Sequence, residues 1–77
     1  MDKMILILAE MLKIDPEKIT KETNASDVEN WDSLAQLMIV QKMEAEFSVT
    51  LEIKEILGIK NVGDIYRILE KRGIREF

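Results

Sequence analysis

Neither cysteine nor histidine occurs among the 77 residues of this chain. In so short a chain, that absence dictates how the fold must be held together. A domain of this size buries only about 60% of the surface its unfolded form exposes. Small domains often compensate with disulfides or a structural metal. Here no disulfide can form, and a zinc site built from carboxylates alone is a poor match for that ion, so no metal is expected. The fold must rest on packing by the 47% of residues that are hydrophobic, inside a surface drawn from the 34% that are charged. One domain covering residues 1–77 is expected. The same absence prunes chemistry. A Ser-His-Asp triad and a Cys-His pair are both impossible, and the only general bases left are carboxylates, lysines and one tyrosine. No catalytic residue is expected, and the chain reads as a non-enzyme.

Charge narrows the partners. The net charge is −4, from 11 basic and 15 acidic residues. Nucleic acid demands a basic face and is not expected as a partner. Acidity is concentrated between residues 16 and 32, where Glu17, Glu22, Asp27, Glu29 and Asp32 outweigh Lys18 and Lys21 to give −3, whereas residues 48–77 carry +1. A solvated loop explains this run, and a basic partner would also be steered to it. The apolar run from Met4 to Ala9 is closed by Glu10. It is too short to span a bilayer and lacks the flanks of a signal peptide. No membrane insertion is expected, and a cysteine-free chain suits the reducing cytoplasm.

The apolar pattern has helical spacing. Met1, Ile5, Leu8 and Leu12, with Met4 and Met11 beside them, predict a helix over residues 2–13. Asp2 is its expected N-cap, and Lys13 suits its C-terminal dipole end. The Asp15-Pro16 step ends it, because proline drives the preceding residue out of the helical region. Residues 15–32 then form a long connection, with Ile19 and Val28 expected to peg it to the core. A second helix should start at residue 32 or 33 and run to about 47. Its core stripe is Gln36, Ile39, Val40, Met43 and Phe47, joined by Leu37. Leu34, Met38, Gln41 and Ala45 fall on another side. A short third helix is expected over residues 51–57, ended by Gly58, with Ile59 and Val62 in the core. Asn61 and Asp64 have the spacing to cap a fourth helix, which would bury Ile65, Ile68 and Leu69. Gly73 followed by Ile74 suits a Schellman ending. No strand is expected.

At the head of the second helix stands Asn30-Trp31-Asp32-Ser33-Leu34-Ala35-Gln36-Leu37. Asp32 and Ser33 are both good N-cap residues, and a cap is the plain reading of Ser33. A helix N-terminus also favours a phosphate through its free N–H groups and dipole, so a phosphoester on Ser33 would be stabilised there. Asp32-Ser33-Leu34 resembles the Asp-Ser-Leu motif of the acyl and peptidyl carrier family. The resemblance extends over nearly the whole chain. It includes the aspartate-proline turn followed by Glu17-Lys18-Ile19-Thr20, Phe47 fourteen residues after Ser33, "LEIKEIL" at residues 51–57 and "NVGDI" at residues 61–65.

The resemblance implies an all-α, acyl-carrier-like four-helix bundle of three main helices and one short one, mostly monomeric in the family. It implies that Ser33 carries 4′-phosphopantetheine, delivered from coenzyme A by a phosphopantetheinyl transferase that brings its own base and Mg²⁺. The arm's thiol then holds an acyl or aminoacyl group as a thioester for acyl-loading and acyl-processing enzymes. With no cysteine in the chain, no internal thiol could capture that cargo. The match assigns Asp32 to recognition by the transferase, Leu34 to partner contact, and Met38 and Gln41 to the same recognition face. Two departures stand out. Trp31 precedes the motif where many fatty-acid carriers have a glycine-containing step, and it resembles stand-alone carriers of specialised pathways; a loop anchor or a recognition contact would each explain it. The second helix has only Glu44 and Glu46, offset by Lys42, where fatty-acid carriers are rich in acids. A specialised fatty-acid, polyketide or related pathway is therefore expected. The alternative is an unmodified helical interaction module with a carrier-like fold, in which Ser33 only caps its helix.

Overall fold

The computed structural model describes residues 2–77 and places four helices in the order expected: α1 (Lys3–Leu12), α2 (Ser33–Phe47), α3 (Ile53–Leu57) and α4 (Val62–Lys71). No strand occurs among the described residues, which form a single isolated antiparallel bridge between Asn24 and Asn61. None of their helices is long and apolar enough to cross a membrane.

α1 starts where Asp2 accepts the Ile5 N–H at 2.7 Å. It buries Met4, Ile7, Leu8 and Leu12. Of the expected stripe, Leu8 and Leu12 are buried, with Met4 beside them; Ile7 is buried where Ile5 was expected, Ile5 lies at the edge, and Met1 falls outside the described residues. Lys13 does not sit in the last turn; it ends the helix in the left-handed region at φ 58°. α1 packs along α2, whose Ile39, Val40, Met43 and Phe47 complete the opposite wall. α2 ends the same way, with Ser48 at φ 55° and the Glu44 side chain accepting the Leu51 N–H at 2.8 Å.

The connection between α1 and α2 is ordered by long-range bonds. It contains two short 3₁₀ turns, Pro16–Lys18 and Ala25–Asp27. Ile19 is buried as expected, while Val28 packs at the margin of the core. Asn30 donates to the Leu12 carbonyl at 3.0 Å, satisfying one of the free carbonyls at the end of α1. The middle of the connection runs beside the α3–α4 link, where Ala25 donates to Lys60 O and Val62 to Thr23 O, each at 2.9 Å. Gly63 donates to Lys21 O at 2.9 Å, and a Cβ there would meet that same oxygen at 3.2 Å, so the close approach suits glycine.

α4 has the expected ends. Asn61 and Asp64 form a reciprocal capping box. At the other end Gly73, at φ 86°, donates to Glu70 O and Ile74 to Leu69 O, both at 3.0 Å, the bond pair of a Schellman ending. Its buried face holds Val62, Ile65, Ile68 and Leu69, and also Tyr66. The Tyr66 hydroxyl donates to both carboxylate oxygens of Asp2, at 2.8 and 3.0 Å. Its ring meets Phe77 edge-on at 4.7 Å, and Phe77 O accepts the Met4 N–H at 2.8 Å. Arg72 pairs with Glu55 and so ties α4 to α3. The Glu55 carboxyl is held below its ordinary range by the Glu52 N–H, against some burial, and then by Arg72.

Candidate functional site at the head of α2

The two candidate caps divide their roles. Asp32 has extended backbone and accepts the Ala35 N–H at 2.8 Å, while its carbonyl accepts the Gln36 N–H at 2.9 Å. Asp32 is therefore the cap and Ser33 the first helical residue, which corrects the plain reading of Ser33 as a cap. Ser33 is exposed. By helix geometry the Ser33 and Leu34 N–H groups have no carbonyl a turn behind them. A phosphate ester on Ser33 would thus sit beside free donors at the positive end of a 15-residue helix. The residues present fit a serine-linked phosphodiester: its hydroxyl is accessible and its helix is capped by its neighbour.

Around Ser33 the exposed surface is apolar. Leu34 is 67% exposed and Met38 47%, and Gln41 and Ala45 are exposed further along the same side. Leu37 had been expected in the core, but it is 52% exposed. The correction has a physical reason. Leu37 lines the open groove between α2 and the five-residue α3 rather than the core behind it. Ile53 and Leu57 of α3 are themselves about three-quarters exposed. Between α2 and α3 runs a groove of about 420 Å³, lined by Ala25, Trp31, Asp32, Ser33, Gln36, Leu37, Ile56 and Leu57. Ser33 stands at its rim.

Trp31 is buried, and its indole N–H donates to Gln36 Oε1 at 2.8 Å. This bond anchors the end of the long connection to the first turns of α2. Sequence reasoning placed Gln36 in an apolar stripe and gave it no further role. In the structure its Nε2 donates to Ile56 O at 2.8 Å and to Ile59 O at 3.4 Å. One side chain thus joins the connection, α2, the end of α3 and the α3–α4 link. A polar residue at a core-facing position was the available signal, since a half-buried amide is costly without partners.

Comparison with known proteins places these features in a family. A family model described as a phosphopantetheine attachment site matches residues 2–69. An acyl carrier protein of Bdellovibrio bacteriovorus is 34% identical over 67 residues, 87% of this chain and 86% of that protein. One from Thermotoga maritima is 33% identical over 70 residues, covering 91% and 86%. Among solved structures, a Mycobacterium tuberculosis chain provisionally assigned as an acyl carrier protein superposes with a TM-score of 0.81 at 25% identity, over 90% of this chain and 92% of that one.

Proposed function

This chain belongs to the acyl carrier protein family, whose attachment domain carries 4′-phosphopantetheine, and we propose on that basis that Ser33 is the residue that bears the arm. The observation that carries the reading is local. Ser33 is exposed at the first position of α2, its helix is already capped by Asp32, and a groove begins at its side chain. The arm supplies a thiol that holds the cargo as a thioester.

The chain's own residues present, orient and are read. Loading forms a bond from Ser33 Oγ to the pantetheine-side phosphorus of coenzyme A. The phosphorus–oxygen bond to the adenosine bisphosphate breaks, and that group leaves. The serine proton passes to a base on the transferase, since no histidine is available here. Asp32 holds the backbone of the first turn and lends the negative charge that a transferase reads. Leu34, Met38 and Gln41 form the contact face for the transferase and for acyl-loading and acyl-processing enzymes. Trp31, buried and bonded to Gln36, acts by fixing the approach to Ser33 rather than as a partner contact. The whole chain works as one carrier domain and performs no catalysis of its own.

The pathway we favour is a specialised fatty-acid, polyketide or related one. Support comes from α2, where Glu44 and Glu46 are offset by Lys42 while Leu34, Leu37 and Met38 lie exposed. Such a face favours apolar contact over docking to a basic patch. Intact mass after incubation with coenzyme A, Mg²⁺ and a broad-specificity transferase tests the assignment. Wild type should gain one phosphopantetheine and Ser33→Ala none. No gain on wild type overturns it and leaves the unmodified interaction module; a gain that survives Ser33→Ala overturns the assignment to Ser33.

A further inference from the structure

The three acids of α2 and α3 all have partners within the chain. The Glu44 carboxylate accepts the Leu51 N–H at 2.8 Å, and Glu46 pairs with Lys3 at 3.6 Å. Glu55 accepts the Glu52 N–H at 2.9 Å and pairs with Arg72. The two lysines of these helices differ. Lys42 and Lys54 are exposed, and among the described residues neither is in an ion pair. Lys42 follows exposed Met38 by one turn, and Lys54 lies three positions before exposed Leu57, so each borders apolar surface. Leu37 of α2 and Leu57 of α3 line the same groove, which joins the apolar surfaces of the two helices into one face. We propose that this face docks an acyl-processing enzyme whose contact surface is apolar at its centre and edged by carboxylates opposite Lys42 and Lys54. This rests on the reading of the face as the surface the carrier offers to its enzymes.

A basic partner would find no ready acid along the two helices. To meet it, Glu44 must leave the Leu51 N–H, and Glu46 or Glu55 must leave its own cation; each move forfeits a bond already made. The partner's cations would also stand near Lys42 and Lys54. The remaining carboxylates beside the face, Asp32 and Glu52, are the N-caps of α2 and α3, each set against the positive end of its helix. An acidic edge requires none of these changes, since both lysines are open to it. The apolar centre then supplies the area removed from water, and the lysines set register and choice of partner. Local and overall charge therefore make opposite demands. The net charge of −4 favours a basic partner, and the face favours an acidic one.

Two helical peptides separate the demands. They share one leucine face, which is flanked by glutamates in the first and by lysines in the second. Each is titrated into the isotope-labelled chain at about 20 mM salt, with backbone amide shifts as the readout. The glutamate peptide should bind about fivefold tighter, as expected of a few exposed charge pairs, and should shift Leu34, Met38 and Leu57. At about 500 mM salt the preference should fall below about twofold. The double variant Lys42→Glu, Lys54→Glu should reverse it. Equal binding, a preference for the lysine peptide, or no shift with either overturns the proposal, as does a preference that survives in the double variant. The wild-type titrations decide even if the double variant does not fold. Because the chain is titrated unloaded, the mass test of Ser33 stands apart. A chain that loads but prefers lysine refutes the acidic edge alone, and one that never gains mass refutes the carrier reading on which it rests.

Discussion

Replacing Tyr66 with phenylalanine removes one oxygen and leaves the ring packed against Phe77. What is lost is the hydroxyl's donation to the Asp2 carboxylate, at 2.8 and 3.0 Å. Asp2 keeps its second task, capping α1 through the Ile5 N–H. A hydrogen bond to a charged group contributes about 1.5–3 kcal/mol. Asp2 is only partly buried, so water recovers some of the loss, and the low end, about 1.5 kcal/mol, is the expected cost. In a domain this small that lowers the thermal midpoint by about 6–12 °C. The effect also depends on pH. The Tyr66 hydroxyl is pushed above its ordinary pKa by burial first, then by the hydrogen bond and negative charge of Asp2. Its folded value therefore exceeds the unfolded one near 10, so the contribution is fully present below about pH 10 and is lost as pH rises beyond it. Urea unfolding of wild type and Tyr66→Phe, followed by circular dichroism from neutral pH to about pH 11, reads both effects. The gap between the two proteins should be constant up to about pH 9 and then narrow. Equal stability at neutral pH, or a gap that persists undiminished at high pH, would refute the reasoning.

Two further substitutions probe the surface and the helix ends. Met38→Glu should leave stability within about 0.5 kcal/mol of wild type, as exposed sites do, while lowering kcat/KM for loading by the transferase about tenfold; collapse of the melting transition would mean that Met38 is core. Ser48→Gly should raise stability by about 0.5–1 kcal/mol, because the residue at φ 55° carries a Cβ in a region that favours glycine, and a lower midpoint would show that the side chain is needed there.

Much of the fold was legible because it is written locally. The cap of α1 at Asp2, the capping box of α4 at Asn61 and Asp64, and the Gly73-Ile74 ending are set by residues within a few positions of one another, and each formed as its spacing implies. The core residues of α2 followed from helical period alone. The motif around Ser33 is equally local, and it carries the family resemblance by itself.

Periodicity does not record which side of a helix its neighbours cover, and there the structure decided. Ile39 and Leu37 are equally apolar, yet Ile39 is 1% exposed and Leu37 52%, because Ile39 lies in the core cluster and Leu37 on the open groove between α2 and α3. The connection between α1 and α2 looked structureless because its order comes from backbone bonds to the α3–α4 link and from Asn30 to Leu12, partners that no local pattern names. Tyr66 and Asp2 are 64 positions apart, and Gln36 meets Ile56 and Ile59 only once α3 has been placed. By itself, then, the sequence determined the helices, their ends and the serine at the head of α2, since those depend on neighbours within a turn or two. Tertiary packing alone decided that an apolar face lies open beside Ser33 and that Gln36 braces the groove, since each depends on where distant segments come to rest.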